Sequence, residues 1–153
     1  MAVGFDIEWL SQRSNDSLLT LCYQFGCLPI KLGTDRPYFI SKLGQFLTHK
    51  DIIFAGVHLQ GDVKKLWEKY RLEIRNVVDL SELAAEVLHH PRLRAFGVRS
   101  LAHQLLLVPF KARPTSILRV DNSTTGDVPQ KLIECASADA HAAYKIGKKL
   151  LGD

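Results

Sequence analysis

The order of apolar runs in this sequence predicts an α/β domain: a mixed, five-stranded sheet flanked by helices. Three observations carry that prediction. The first 33 residues hold three strand-like runs in succession, broken only by a polar turn and a glycine. After residue 36, β-branched apolar runs alternate with segments of helical spacing. The chain then closes on a long helical stretch from 129 to 151. Successive strands favour antiparallel pairing, and strands separated by helices favour parallel pairing, so a sheet containing both is mixed and carries helices on both faces.

The elements follow in order. "VGFDIEW" (3–9) alternates around Val3, Phe5 and Ile7 and reads as the first strand, and "SQRSND" follows as a polar turn. "SLLTLCYQFG" (17–26) and "CLPIKLG" (27–33) read as two strands joined tightly at Gly26, with Pro29 placing the third strand at a sheet edge, where a missing N–H is tolerated. Residues 36–50 carry apolar side chains at 39, 40, 43, 46 and 47, a helical spacing. "DIIFAGVHL" (51–59) is a continuous apolar run, the pattern of a central strand covered on both faces. Residues 61–71 form an amphipathic helix striped by Val63, Leu66, Trp67 and Tyr70. "IRNVVDL" (74–80) is a short strand, Ser81 is the expected N-cap of "ELAAEVLHH", and a further helix covers 98–107. Residues 108–128 read as an irregular surface loop, and Pro129 opens the final helix. This β-β-β-α-β-α-β-α-α-α order suits a ribonuclease H-like arrangement, with residues 1–153 as a single domain.

Composition narrows the setting. Charged residues make up 24% and hydrophobic ones 46%, as in ordinary globular domains. The net charge of +4 is compatible with a polyanionic partner without demanding one. Cys22, Cys27 and Cys135 show no disulfide framework, and the first two read as small buried hydrophobes in a reducing, cytoplasmic or nuclear compartment. No signal-peptide pattern and no 18-residue apolar run is present, so no membrane association is expected. The first strand begins almost at residue 1, as in a chain trimmed or spliced from a longer one.

Two acids interrupt the first strand. Asp6 and Glu8 are two residues apart and therefore share a face. Burying two carboxylates costs several kcal/mol, on the order of what a lost ion pair costs, unless a cation meets them. A hard divalent ion such as Mg²⁺ or Mn²⁺ prefers such oxygen ligands. Asp62 opens the helix of "HLQGDVKKL", where an acid also suits the helix N-terminus. Asp139 lies in mid-helix among Ala136, Ala138, Ala140, Ala142 and Ala143, where an aspartate is mildly unfavourable and close packing is expected.

Taken together, "GFDIEW", "GVHLQGDVKKL" and "ASADAHAAYKIGKKL" resemble the three exonuclease motifs of the DEDD superfamily. Within it the chain resembles the Werner/ribonuclease D-like 3′–5′ exonuclease domains, in particular the small plant members, and "IRNVVDLSELAAEVL" and "GVRSLAHQLL" extend the likeness over nearly the whole chain. The resemblance implies a DnaQ-like fold and two Mg²⁺ or Mn²⁺ ions. It implies that Asp6, Glu8 and Asp139 hold one ion, that Asp6 is shared with the second, and that Asp62 holds the second through water. Two such ions clamp a phosphodiester, activate water and stabilise the leaving 3′-oxygen.

The pattern breaks at one place. The tyrosine subclass of that family carries its water-orienting residue four positions before the last aspartate, and that position here is Cys135. Four residues rotate about 40° net, so Cys135 shares the face of Asp139, but a thiol is shorter than a phenol and donates poorly. The histidine subclass uses the preceding position, here Glu134, about 140° from Asp139. Three readings stay open: the metals suffice, Glu134 positions the water, or the site is weakened and the chain binds or scaffolds nucleic acid. His141, nearly opposite Asp139 on the helix, reads as a surface or partner-facing residue, and Tyr144 as packing.

Lys64, Lys65, Lys69 and Arg71 follow Asp62, and Lys145, Lys148 and Lys149 follow Asp139. They are either solvated helix faces or a phosphate track to the metals. Trp9, and secondarily Phe96, are the aromatic candidates for stacking a 3′-terminal base. Analogy with small plant exonucleases implies single-stranded nucleic acid as partner, RNA favoured over DNA, and a homo-oligomer, which an edge strand near Pro29 makes physically reasonable. A small-molecule enzyme is disfavoured by the lack of a Gly-rich phosphate loop or nucleophile elbow.

Overall fold

A computed structural model describes residues 1–10, 15–108 and 127–152. The elements are β1 (Ala2–Trp9), β2 (Ser17–Tyr23), β3 (Gly26–Leu32), α1 (Pro37–Leu47), β4 (Ile53–Gly56), α2 (Gln60–Tyr70), β5 (Val77–Asp79), α3 (Leu80–Val87), a 3₁₀ turn (Pro91–Ala95), α4 (Val98–Leu106) and α5 (Gln130–Leu151). The expected loop at 108–128 and turn at 11–16 fall largely outside the described residues. No helix among the described residues is long and apolar enough to cross a membrane.

The five strands form one mixed sheet in the order β3-β2-β1-β4-β5. β1 pairs antiparallel with β2 and parallel with β4, and β5 continues the parallel half. β3 is an edge, as Pro29 implies. Alternation along β1 splits its side chains between two layers. Val3, Phe5 and Ile7 join Leu43, Leu47, Leu66 and Tyr70 in an apolar core beneath α1 and α2. On the other face, Ala55 packs with Leu80, Leu101, Ala143 and Ile146 of α3, α4 and α5.

Four local expectations change. The hairpin turns at Gln24 and Phe25, with Gln24 in the left-handed region (φ 54°), and Gly26 already belongs to β3. The two-residue turn sets Cys22 directly opposite Cys27, with Cα atoms 4.1 Å apart, and the two form a disulfide. They are buried as expected, but they are not separate thiols, so cysteine usage no longer argues for a reducing compartment. The apolar run 51–59 is strand only over Ile53–Gly56, because β4 has partners for a few rungs before His58 (φ 55°) turns the chain into α2. The N-cap of α3 is Asp79 and not Ser81: the helix leaves β5 directly, and Asp79 accepts from the Ser81 N–H at 3.0 Å.

Candidate functional site

β1 is the middle strand, and its polar face lies against α5. Gly4 makes the approach possible. A Cβ there would stand 2.7 Å from the Tyr144 backbone nitrogen and 2.9 Å from the Tyr144 Cβ, a separation no side chain sustains. With α5 seated this closely, Asp139 meets the two acids of β1. Carboxylate oxygens of Asp6, Glu8 and Asp139 lie within 4.8 Å of one another.

Asp62 approaches from the first turn of α2. It lies outside that group of three but close enough for its charge to raise the pKa of both Asp6 and Glu8. Its orientation is set by the Trp9 indole, whose N–H donates to Asp62 Oδ1 at 3.0 Å. Trp9 is in turn stacked on Tyr70, ring centroids 6.3 Å apart, and Lys65 Nζ lies 5.3 Å from the indole centre. Trp9 thus positions an acid, a role its sequence did not suggest.

The electrostatics are those of a cluster that wants positive charge. Burial raises the Asp6 carboxyl well above its ordinary range, and Glu8, Asp139 and Asp62 push it further. Burial raises Glu8 as well, with Asp139 and Asp62 adding to it. Asp62 is raised by burial, with Trp9 and Lys65 opposing. Asp6 Oδ2 is buried and has no hydrogen-bond partner among the described residues. An orphaned buried carboxylate oxygen inside an all-oxygen donor set fits a hard divalent cation. Asp6, Glu8 and Asp139 are the residues that could hold it.

Two residues at this site were not singled out from the sequence. Arg99, in the first turn of α4, donates from Nε to Asp139 Oδ1 at 3.0 Å. Its charge lowers the pKa of Asp6 and Glu8. His58, Gly97 and Val98 line a cleft of about 140 Å³ together with Asp6 and Asp139, and His58 is held by a 3.0 Å hydrogen bond to the Arg94 carbonyl. An arginine in an amphipathic helix and a histidine at a strand end carry no linear signal of convergence. Only the crossing of α4 on α5 brings Arg99 to Asp139.

The remaining sequence candidates are distributed more widely. Lys64 is exposed and lies 4.0 Å from Glu68 on its own helix. Cys135 is a half-buried free thiol on α5, and Glu134, one residue earlier, is likewise partly exposed. Lys145 is exposed and acts on His141, not on the acids. Phe96 packs against the α3–α4–α5 core. His141 is corrected outright. It is 3% exposed, its ring centroid lies 6.4 Å from that of Tyr144, and neither ring nitrogen has a partner among the described residues. Burial lowers its pKa, and Lys145 lowers it further. Helix α5 packs along β1, β2 and β3 as well as on α3 and α4, so the side opposite Asp139 is buried too. Tyr144 is packing, as expected, at 7% exposure.

Comparison with known proteins agrees with this geometry. A family model described as 3′–5′ exonuclease matches residues 1–152. The chain is 30% identical over 155 residues to the Arabidopsis thaliana protein RISC-interacting clearing 3′–5′ exoribonuclease 1, covering 97% of this chain and 76% of that one. It is 28% identical to an Arabidopsis thaliana 3′–5′ exonuclease, of which it spans 52%. It is 27% identical to the Mus musculus bifunctional 3′–5′ exonuclease/ATP-dependent helicase WRN, of which it spans 11%. Among solved structures, Escherichia coli RNase D superposes with a TM-score of 0.73 at 20% identity, over 99% of this chain and 39% of that one, a likeness of fold. A ribonuclease H-like sheet, an acidic cluster where β1 meets α5, and a family match over nearly every residue converge on one assignment: the chain belongs to the 3′–5′ exonuclease family of the DEDD type.

Proposed function

We propose that this chain is a divalent-metal-dependent exonuclease that shortens single-stranded nucleic acid from its 3′ end, with RNA favoured over DNA, and releases nucleoside monophosphates. The observation that carries the reading is the convergence of Asp6, Glu8 and Asp139 around an unsatisfied Asp6 oxygen. Those three residues hold one Mg²⁺ or Mn²⁺, and Asp6 with Asp62 serves a second. Bound there, the two ions would activate water and stabilise the leaving 3′-oxygen. The chain's own contribution is placement: Trp9, with Lys65 over its ring, orients Asp62, and Gly4 lets α5 deliver Asp139. The preference for RNA rests on the exoribonuclease named among the relatives. A homo-oligomer is supported by the edge position of β3 beside exposed Tyr23, Phe25 and Tyr38.

The test uses 5′-labelled and 3′-labelled single strands of RNA and DNA with Mg²⁺, Mn²⁺ or chelator. Metal-dependent shortening from the 3′ end, reduced roughly a thousandfold or more by Asp6→Ala, is the expected result. A second reading, a nucleic-acid-binding or scaffold subunit with weakened catalysis, is favoured by the thiol of Cys135 at the tyrosine-subclass position. It gains if labelled strands bind and stay intact. Cys135→Tyr is expected to raise the metal-dependent rate about tenfold, the lower range of a positioned acid–base group. An unchanged rate in a folded variant removes Cys135 as the reason for slow turnover.

A further inference from the structure

We propose that Arg99 is a phosphate-positioning residue: it ties to Asp139 in the free protein and turns to the scissile phosphodiester once divalent ions take Asp139 over. The inference rests on the metal-dependent reading above and adds a residue to it. The contact is specific. Arg99 Nε donates to Asp139 Oδ1 at 3.0 Å, on the helix α5 that also carries Cys135, the position where the tyrosine subclass has its phenol. Asp139 is largely buried, with 18% of its side chain exposed, while the Arg99 side chain is 42% exposed. The acid is therefore fixed, and the arginine has open space to turn into.

Charge decides where it goes. Arg99 is the cation whose field offsets both Asp6 and Glu8. A carboxylate oxygen engaged by a guanidinium is not available on that side to a metal, so Arg99 and a divalent ion compete for Asp139. Two divalent ions match the four carboxylates in charge and leave the Arg99 charge unpaired beside the 140 Å³ cleft that Gly97, Val98 and Asp139 line. A phosphodiester brings the single negative charge that pairs with it, and the planar fork of a guanidinium suits two phosphate oxygens. A lysine at this position would keep the charge and lose the fork.

The experiment measures Mn²⁺ affinity by calorimetry in the absence of nucleic acid, then adenosine 5′-monophosphate affinity with Mn²⁺ saturating. Wild type is compared with Arg99→Ala, Arg99→Lys and Asp139→Asn. Arg99→Ala is expected to bind Mn²⁺ about threefold tighter, since a partly exposed competing ion pair is removed, and to bind the nucleotide about tenfold more weakly, with Arg99→Lys between the two. A residue that only ties α4 to α5 would leave nucleotide affinity in saturating Mn²⁺ unchanged. Mn²⁺ affinity no tighter in Arg99→Ala, or unchanged nucleotide affinity, overturns the proposal and leaves the exonuclease reading standing. Asp139→Asn is the control: if it fails to weaken Mn²⁺ binding, the metal assignment itself is wrong and the role of Arg99 falls with it.

Discussion

The two faces of the sheet were built from the same strands and came out differently. On the α1–α2 face, Phe5, Leu19, Leu32, Phe54 and Leu47 are buried at 2% exposure or less and need nothing but one another. On the α5 face, Asp6 Oδ2, Thr20 Oγ1, Ser137 Oγ and both nitrogens of His141 are buried without a partner. Thr20 pairs with Asp6 in the β1–β2 register and so shares its face, and Ser137 and His141 lie on α5. Every buried unpartnered side-chain atom found among the described residues is therefore on one side. Polar groups left unsatisfied cost free energy, and a sheet that confines them to one face keeps its other face free to supply the stability. The lesson is a division of labour at single-residue spacing: Phe5 holds the fold, and its neighbour Asp6 strains it.

That contrast can be broken at adjacent positions. Phe5→Ala is expected to lose about 3–5 kcal/mol, the usual cost of emptying a core aromatic site, and an urea titration reads it directly. Asp6→Asn is expected to do the opposite in chelator, stabilising by about 1 kcal/mol, because a crowded carboxylate becomes neutral. If both variants destabilise metal-free protein alike, the polar face carries no strain and the comparison fails.

A smaller, pH-linked effect sharpens the same point. The folded pKa values of Asp6, Glu8 and Asp62 are raised above their unfolded values. Groups of that kind favour the folded state fully below the unfolded pKa, near 4, and lose that contribution as pH rises through the higher folded values. In chelator, their contribution to stability therefore declines from about pH 4 upward, and saturating Mg²⁺ or Mn²⁺ offsets the decline at neutral pH. Asp6→Asn flattens the metal-free slope. Melting curves across pH with and without metal check the sign, and a slope identical in wild type and variant contradicts it.

Much of this was legible in the linear chain, for physical reasons that are local. Strand alternation put Asp6 and Glu8 on one face, Pro29 marked an edge, and the small residues around Asp139 announced a close helix contact. Neighbours across space were not legible. The Cys22–Cys27 link depends on a turn at Gln24 and Phe25, and the burial of His141 depends on α5 being packed on more than one side. That the indole N–H of Trp9, the residue expected to stack a base, also holds Asp62 depends on α2 lying beside β1.

The sequence by itself determined which residue types occupy which faces, since periods of 2 and 3.6 residues are properties of the backbone alone. Tertiary structure alone decided that β1, α2, α4 and α5 would bring Asp6, Glu8, Asp62, Arg99 and Asp139 to one place. Distances between elements are set by packing, here by the absence of a side chain at Gly4, and a carboxylate acquires its chemistry only from the charges that packing sets beside it.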